Sequence, residues 1–363
     1  MSHVHLFVRR RMRHTRRVVV LALSTFVLWH VALAGVSWGL ARASERAHPP
    51  SGRLLGIDGR RVHLVDHGAP TGRPDAAALV LLHGASTSLL DMEASLAPAL
   101  AGRFRVITVD RPGHGYSERG DAWPDPYAQA AAIRGALSAI GVERAVWVGH
   151  SWAGSVVLAA LLEEPAHARA GVLLAGATHP WEGGSAWHAE LAARPALGRA
   201  FAWTYVEPAG RALLDEAIAS VFAPETVPPG YVERTGVTLS LRPATYRANA
   251  VDLTRLSEHL ARQSARYPGI DRPLLSITGT ADDVVPARNH DARLARQLPA
   301  LRSVALEGAG HAFPHTRTER VAALIGGFVD ALASDDGVRS TASPRLPSGS
   351  TAARVPPPPG ETP

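Results

Sequence analysis

The chain has 363 residues, 38 of them basic and 32 acidic, for a formal net charge of +6. Every basic residue is Arg and cysteine is absent, which excludes Schiff-base lysine catalysis, a Walker-type phosphate loop, disulfides, thiolate nucleophiles and cysteine-ligated metal sites. Six arginines (Arg9, Arg10, Arg11, Arg13, Arg16 and Arg17) fall among the first 17 residues, where no acid occurs, so the remainder balances at 32 against 32; that excludes a broad nucleic-acid-binding surface.

After the basic segment 1–17 comes Val18–Leu40, 23 residues without a formal charge. As a helix this stretch spans about 34 Å at 1.5 Å per residue, enough for a hydrocarbon core of roughly 30 Å. Trp38 stands near its far end, where aromatic rings favour the membrane interface. The expectation is a single transmembrane anchor, with the arginines held in the cytoplasm and the rest of the chain outside. The alternative is a cleaved signal peptide, for which Ala41-Arg42-Ala43 offers small residues at a suitable spacing. The product would then be secreted or periplasmic. Residues 41–52, ending in Pro49-Pro50 and Gly52, read as a linker.

Between Arg53 and Leu332 short apolar runs alternate with helical stretches. Strands are expected at Arg61–Asp66, Leu79–Leu82, Arg105–Val109, Val146–Val148, Gly171–Leu174, Leu274–Thr278 and Ser303–Leu306. Helices fill the gaps at Leu89–Leu100, Tyr127–Ile140, Trp152–Glu163, Ala287–Gln297 and Thr318–Leu332. The strands are near-continuous runs of Val, Leu and Ile, as parallel strands covered on both faces require. The rhythm predicts an α/β fold with a mostly parallel sheet, residues 53–332 forming one domain. Thr178–Gly269 breaks it, with helical pieces, prolines and the aromatics Trp181, Trp187, Phe201, Trp203, Tyr205 and Phe222. An inserted helical cap over 178–269 is expected. The tail 333–363 is rich in Ser, Pro and Gly, and disorder is expected there.

Three strand ends carry chemistry. The run through Val148 leads into Gly149-His150-Ser151-Trp152-Ala153-Gly154, where small residues flank a serine between strand and helix. Such a turn lifts the serine hydroxyl above the sheet edge. Ala153 stands where the pattern usually has Gly. A serine needs a base oriented by an acid. Leu274–Thr278 is followed by Gly279-Thr280-Ala281-Asp282-Asp283, and Ser303–Leu306 by Gly308-Ala309-Gly310-His311. The order Ser151, Asp282, His311 is the one expected of a triad on this architecture. Leu79–Leu82 ends in His83-Gly84-Ala85-Ser86, so the N–H groups of Ala85 and Trp152 are the candidate oxyanion donors. His83 is expected to brace that turn rather than act as a base. His311 and His315 have the spacing of metal ligands, but Pro314 lies between them and no Glu adjoins. Neither a metal nor an organic cofactor is expected.

Together with Asp110-Arg111-Pro112-Gly113-His114-Gly115-Tyr116-Ser117, these motifs resemble the α/β-hydrolase fold superfamily. They are most similar to its capped, small-substrate branch of esterases, carbon–carbon bond hydrolases, proline iminopeptidases and cofactor-free haloperoxidases. The resemblance covers Arg53 to Leu332, with 178–269 matching only as a cap. It implies Ser151 as nucleophile, His311 as general base and then acid, and Asp282 as its orienter, selected over Asp283 by its spacing from Gly279. Dehalogenases and epoxide hydrolases of the family carry Asp where Ser151 stands, so the resemblance points away from both. The function implied is a membrane-anchored serine hydrolase acting on an ester or related acyl bond of a small apolar substrate. Alternatives are carbon–carbon cleavage, aminopeptidase or perhydrolase chemistry by the same triad, or a non-catalytic binding protein. A small molecule and, through the amino-terminal helix, the membrane are the expected partners; nucleic acid is not.

Overall fold

The structure, a computed structural model, describes residues 2–119 and 125–342. The continuous apolar runs form the inner strands of an eight-stranded sheet: β1 (Arg53–Ile57), β2 (Arg60–Asp66), β3 (Ala78–Leu82), β4 (Arg105–Val109), β5 (Ala145–His150), β6 (Ala168–Leu174), β7 (Leu274–Gly279) and β8 (Arg302–Leu306). Their order across the sheet is β1-β2-β4-β3-β5-β6-β7-β8. β3 to β8 run parallel to one another; at one edge β2 lies antiparallel to β4, and β1 antiparallel to β2.

Alternate residues of each inner strand feed two separate cores. Leu79, Leu81, Val146 and Val148 pack with the helices Leu96–Ala101 and Thr318–Ala342. Val80, Leu82, Ala145 and Trp147 pack with Pro126–Ser138 and Ala153–Glu163. Both faces are therefore covered, which is why these strands show no polar alternation. The carboxyl ends of β5, β7 and β8 lie side by side or one strand apart, and that edge positions the site.

β1 is an addition to the expected strands. Its signal is Asp58-Gly59, with φ of 48° and 75°. A two-residue hairpin needs positive φ at both central positions, and Asp-Gly supplies it. The expected helix Leu89–Leu100 is two helices, Leu89–Glu93 and Leu96–Ala101. The break falls at Ser95, whose hydroxyl donates to the Asp91 carbonyl at 2.7 Å in competition with the helix ladder. The last of the expected helices before β8 starts only at Asp291, after a turn closed by Asn289 N–H on the Pro286 carbonyl.

Between β6 and β7 the chain forms the inserted helices, among them Trp187–Ala193, Pro195–Phe201, Leu214–Phe222 and the long Pro243–Gln263. Leu256 and Leu260 of the long helix are fully part of the core under the sheet.

Two boundaries differ from expectation. The amino-terminal helix runs unbroken from Ser2 to Ala47, so most of the expected linker 41–52 is helical. Nothing in Ala41–Ala47 opposes helix; the first breakers are Pro49 and Pro50. Tertiary contacts hold the extension, with Ser44 buried and Arg242 paired to Glu45 at 3.3 Å. At the other end Thr318–Ala342 continues ten residues past Leu332, because no proline intervenes before Pro344. The rest of the tail expected to be disordered, 343–363, lies outside the described residues.

Candidate active site

β5 ends at His150, and the next residue, Ser151, has φ of 55°. The left-handed region disfavours a residue with a Cβ by about 1–2 kcal/mol, so the surroundings must enforce it. They do. Ser151 N–H donates to the Leu174 carbonyl at 2.8 Å, and its own carbonyl accepts from Gly154 and Ala177, each at 3.0 Å. Gly149 and Gly154 make the tight passage feasible: a Cβ on Gly149 would lie 2.6 Å from the Ala153 carbonyl oxygen, and one on Gly154 2.7 Å from Gly176 Cα. Ala153, the departure from the usual Gly, is accommodated as a fully buried core residue. The turn delivers Ser151, partly exposed, at the amino end of the helix Ala153–Glu163.

Asp282 follows β7 and His311 follows β8, and the two meet. His311 Nδ1 lies 2.8 Å from Asp282 Oδ2, with both side chains buried. The other oxygen, Oδ1, accepts from the N–H groups of Val284 at 2.8 Å and Val285 at 2.9 Å. Burial pushes the Asp282 carboxyl up, but the His311 hydrogen bond, its charge and the two backbone donors outweigh it and hold the group below the ordinary carboxylate range. Asp283 is exposed. Neither aspartate caps a helix, since the next begins at Asp291. With Nδ1 committed to the carboxylate, Nε2 is the ring atom left for Ser151. Among the described residues no hydrogen bond joins the Ser151 hydroxyl to that ring; such contacts are commonly loose before substrate arrives. Ser151 and His311 share His150 as a neighbour, whose ring centroid lies 4.9 Å from that of His311 and whose Nε2 is 3.1 Å from the His311 carbonyl.

The turn after β3 comes up against the serine. A Cβ on Gly84 would sit 3.1 Å from Ser151 Cβ, a tight contact that glycine avoids. Among the described residues neither the Ala85 nor the Trp152 N–H has an acceptor. His83 is buried and accepts the Arg111 N–H on Nε2 at 3.0 Å, while Nδ1 faces the Gly84 carbonyl at 2.8 Å. Burial, then the charge of Arg111, keeps it well below the ordinary histidine range. It is a neutral brace. The Asp110 carboxylate likewise ties down its own loop, accepting from Leu89 N–H at 2.7 Å and Tyr116 N–H at 2.8 Å.

With two carboxyl-terminal strand ends supplying a hydrogen-bonded acid and histidine, and a third a strained serine, the comparisons fall into place. A model described as the alpha/beta hydrolase family matches residues 79–324. The chain belongs to the alpha/beta hydrolase family. It is a hydrolase of that fold. The pimeloyl-[acyl-carrier protein] methyl ester esterase of Xanthomonas campestris pv. campestris is 31% identical over 258 residues, covering 70% of this chain and 96% of its own. The 2-hydroxymuconate semialdehyde hydrolase of Pseudomonas putida is 27% identical over 305 residues, 80% of this chain and 98% of its own. Among solved structures, the epoxide hydrolase CorEH matches with a TM-score of 0.64 at 21% identity, over 78% of this chain and 99% of its own. That last likeness concerns the fold alone.

Several site neighbours of this hydrolase carry no local motif. Asn249, on the long cap helix, accepts the Ser86 N–H at 2.8 Å and donates to the Ser86 hydroxyl at 2.9 Å, fixing the residue next to Ala85. Asp252, one turn on, is fully buried, pairs with Arg111 at 2.9 Å and also holds Arg119. Arg111 in turn lies over the Trp152 ring, 4.2 Å from its centroid, and the Trp152 indole N–H donates to the Asp252 carbonyl at 3.1 Å. From the cap loop, Glu225 accepts the Gly310 N–H at 3.1 Å beside His311. His315 is occupied by Asp91 at 2.9 Å, and among the described residues no group of metal-ligand side chains forms. The hydrogen bonds of Asn249, Asp252, Glu225 and His315 span from about 80 to more than 200 residues of sequence, so no local pattern could reveal them.

Proposed function

We propose that this hydrolase is a membrane-anchored serine enzyme that cleaves an ester or related acyl bond of a small, apolar substrate. The observation that carries the reading is the elbow: Ser151 held at φ 55° against Gly84, beside an Asp282–His311 pair 2.8 Å apart. A serine hydroxyl is a weak nucleophile until a base takes its proton. His311 Nε2 takes it, Ser151 Oγ adds to the carbonyl carbon, and the Ala85 and Trp152 N–H groups receive the oxyanion. Asp282 keeps Nδ1 protonated and stabilises the imidazolium. The proton then passes to the leaving alcohol, and water returns along the same route to free Ser151 and the acid. Each oxyanion donor of this kind contributes about 100- to 1,000-fold.

Anchoring follows from the amino terminus. Met12–Ala47 is one helix long and apolar enough to cross a membrane, with none of its most apolar window buried against the protein. The arginines from Arg9 to Arg17 precede it or stand in its first turns, and the bias of basic residues to the cytoplasmic side supports a catalytic part on the outer side.

The same residues suit cleavage of a carbon–carbon bond beside a carbonyl, a second reading favoured by the near full-length alignment with the 2-hydroxymuconate semialdehyde hydrolase. A panel of acyl esters, lactones, aminoacyl amides and vinylogous diketones, run with wild type and Ser151→Ala, separates them. Ester turnover at least 1,000-fold above the Ser151→Ala background is expected. Turnover confined to the diketones favours the second reading, and Ser151→Ala retaining full turnover overturns both.

A further inference from the structure

The apolar stretch of the amino-terminal helix is longer than the part left free by the protein. His30 Nε2 lies 3.0 Å from the Tyr205 hydroxyl, and the buried Ser37 hydroxyl 3.5 Å from the Thr204 carbonyl. Arg211 reaches the Leu40 carbonyl at 3.2 Å and the Ser44 hydroxyl at 2.6 Å. The cap segment 204–211 therefore runs alongside residues 30–44, and so alongside the second half of the apolar stretch.

The lengths do not leave that segment in water. From Arg17 to His30 the helix rises about 20 Å, against a hydrocarbon core of roughly 30 Å. Tilting the helix shortens the rise further. Sliding it the other way buries Arg13, Arg16 and Arg17, at roughly 2.5–3.5 kcal/mol each. About 10 Å of hydrocarbon must then be found at and beyond the level of His30, where the cap begins.

The surface the cap presents at that level suits hydrocarbon. Trp203 is 42% exposed, Tyr205 38%, Leu197 61% and Trp187 72%. Across residues 187–210 the exposed charges are Glu190, Arg194 and Arg199, and beyond Pro195 Arg199 stands alone because Glu207 is buried and paired with Arg211 at 3.0 Å. The rings form an unbroken series from the helix into the cap: Phe26 to His30 at 4.0 Å, His30 to Tyr205 at 5.7 Å, Tyr205 to Phe201 at 6.1 Å and Phe201 to Trp187 at 6.2 Å between centroids. Trp and Tyr are the side chains that favour the boundary between acyl chains and headgroups.

We infer that the cap face made by Trp187, Leu197, Trp203 and Tyr205 is sunk in the lipid leaflet on the catalytic side, a monotopic contact added to the membrane-spanning helix. The inference rests on the anchoring proposed above. It extends to the site through one element, since the helix Pro243–Gln263 carries Tyr246, 2.7 Å from His188 beside Trp187, and one turn later Asn249 on the Ser86 loop. The enzyme is thus held with its cap wetted by acyl chains, and its substrate class is esters partitioned into that leaflet.

The absence of cysteine makes a direct test simple. Full-length variants Leu197→Cys, Trp203→Cys, Phe26→Cys and Glu143→Cys, each carrying one polarity-sensitive nitrobenzoxadiazole label, are placed in phosphatidylcholine–phosphatidylglycerol vesicles with or without nitroxide-bearing lipid. Labels at 26, 197 and 203 should emit to the blue and be quenched several-fold more than the label at 143. Quenching at 26 with water-like emission at 197 and 203 overturns the inference and leaves the anchor standing. Water-like emission at 26 overturns the anchor and the inference together. Blue emission at 197 and 203 without lipid quenching means that a second copy, not lipid, covers the face, and overturns it as well.

Discussion

Ser151 and Trp203 are both residues whose side chains the fold pushes into view, by opposite means. Ser151 is clamped by three backbone hydrogen bonds within 3.0 Å, between two glycines that tolerate no Cβ. Trp203 faces outward, and beside it Phe201 stacks on Tyr205 and meets Trp187, while Tyr205 meets His30 of the amino-terminal helix. Rigid backbone fixes geometry to within a few tenths of an ångström, which acyl transfer needs. An exposed aromatic surface suits a fluid partner, which a leaflet is. On the reading proposed above, the chain separates chemistry at the strand ends from contact with the leaflet at the cap.

The strand-end half of that contrast breaks hardest at the dyad. Asp282→Asn should lower kcat about 10,000-fold with the fold unchanged by circular dichroism, because Nδ1 loses the acceptor that fixes its tautomer. A drop of less than tenfold would mean that His311 is oriented by something else. Next comes the joint between the two regions. Asp252→Ala leaves Arg111 and Arg119 without their buried carboxylate, and urea unfolding should show a loss of about 3–5 kcal/mol. An unchanged midpoint would mean that the cap is not locked to the core there.

Acid should weaken the same end of the molecule. Burial, then the charge of His311, brings His150 down to about 4, and burial, then the charge of His179, does the same to His290. Both are neutral when folded and take up a proton on unfolding below the ordinary value of 6.5. Their contribution is therefore flat above pH 6.5 and grows more destabilising as the pH drops toward 4, below which the lowered carboxyls such as Asp282 take over the loss. Each contributes up to about 3 kcal/mol, read from the unfolding midpoint in a pH series. A flat series between pH 6.5 and 4 would contradict this. The smallest effect is expected at Asn249. Asn249→Ala removes the hydrogen bonds to the Ser86 N–H and hydroxyl and should lower kcat about tenfold, with KM for a soluble ester nearly constant; a pure KM effect would assign it to binding instead.

How legible each region was in the sequence follows the same division. Strand ends announce themselves locally: a buried run, then Gly149-His150-Ser151, Gly279 before Asp282, or Gly310 before His311, each forced by a turn that excludes larger residues. That is why the expected Asp282–His311 contact could be read before any geometry was known. The edge strand β1 escaped because only Asp58-Gly59 marks it. The helical continuation through Ala47 escaped because proline-rich sequence signals where a helix must end, not how far packing carries it. Asn249, Asp252 and Glu225 were illegible, since their partners are remote in sequence and their residue types are common on any helix surface. Which aromatics of the cap face outward was illegible too, because sequence spacing does not distinguish a ring that faces the protein interior from one that faces its surroundings.

The central claim is that Ser151 is the nucleophile, activated in place by His311. Reaction of the full-length protein with a fluorophosphonate, followed by intact mass and peptide mapping, tests it most directly. One phosphonyl adduct on Ser151 is expected in the folded protein, absent from Ser151→Ala and slowed at least 1,000-fold in His311→Ala. An adduct elsewhere, or none on folded wild type, would contradict it.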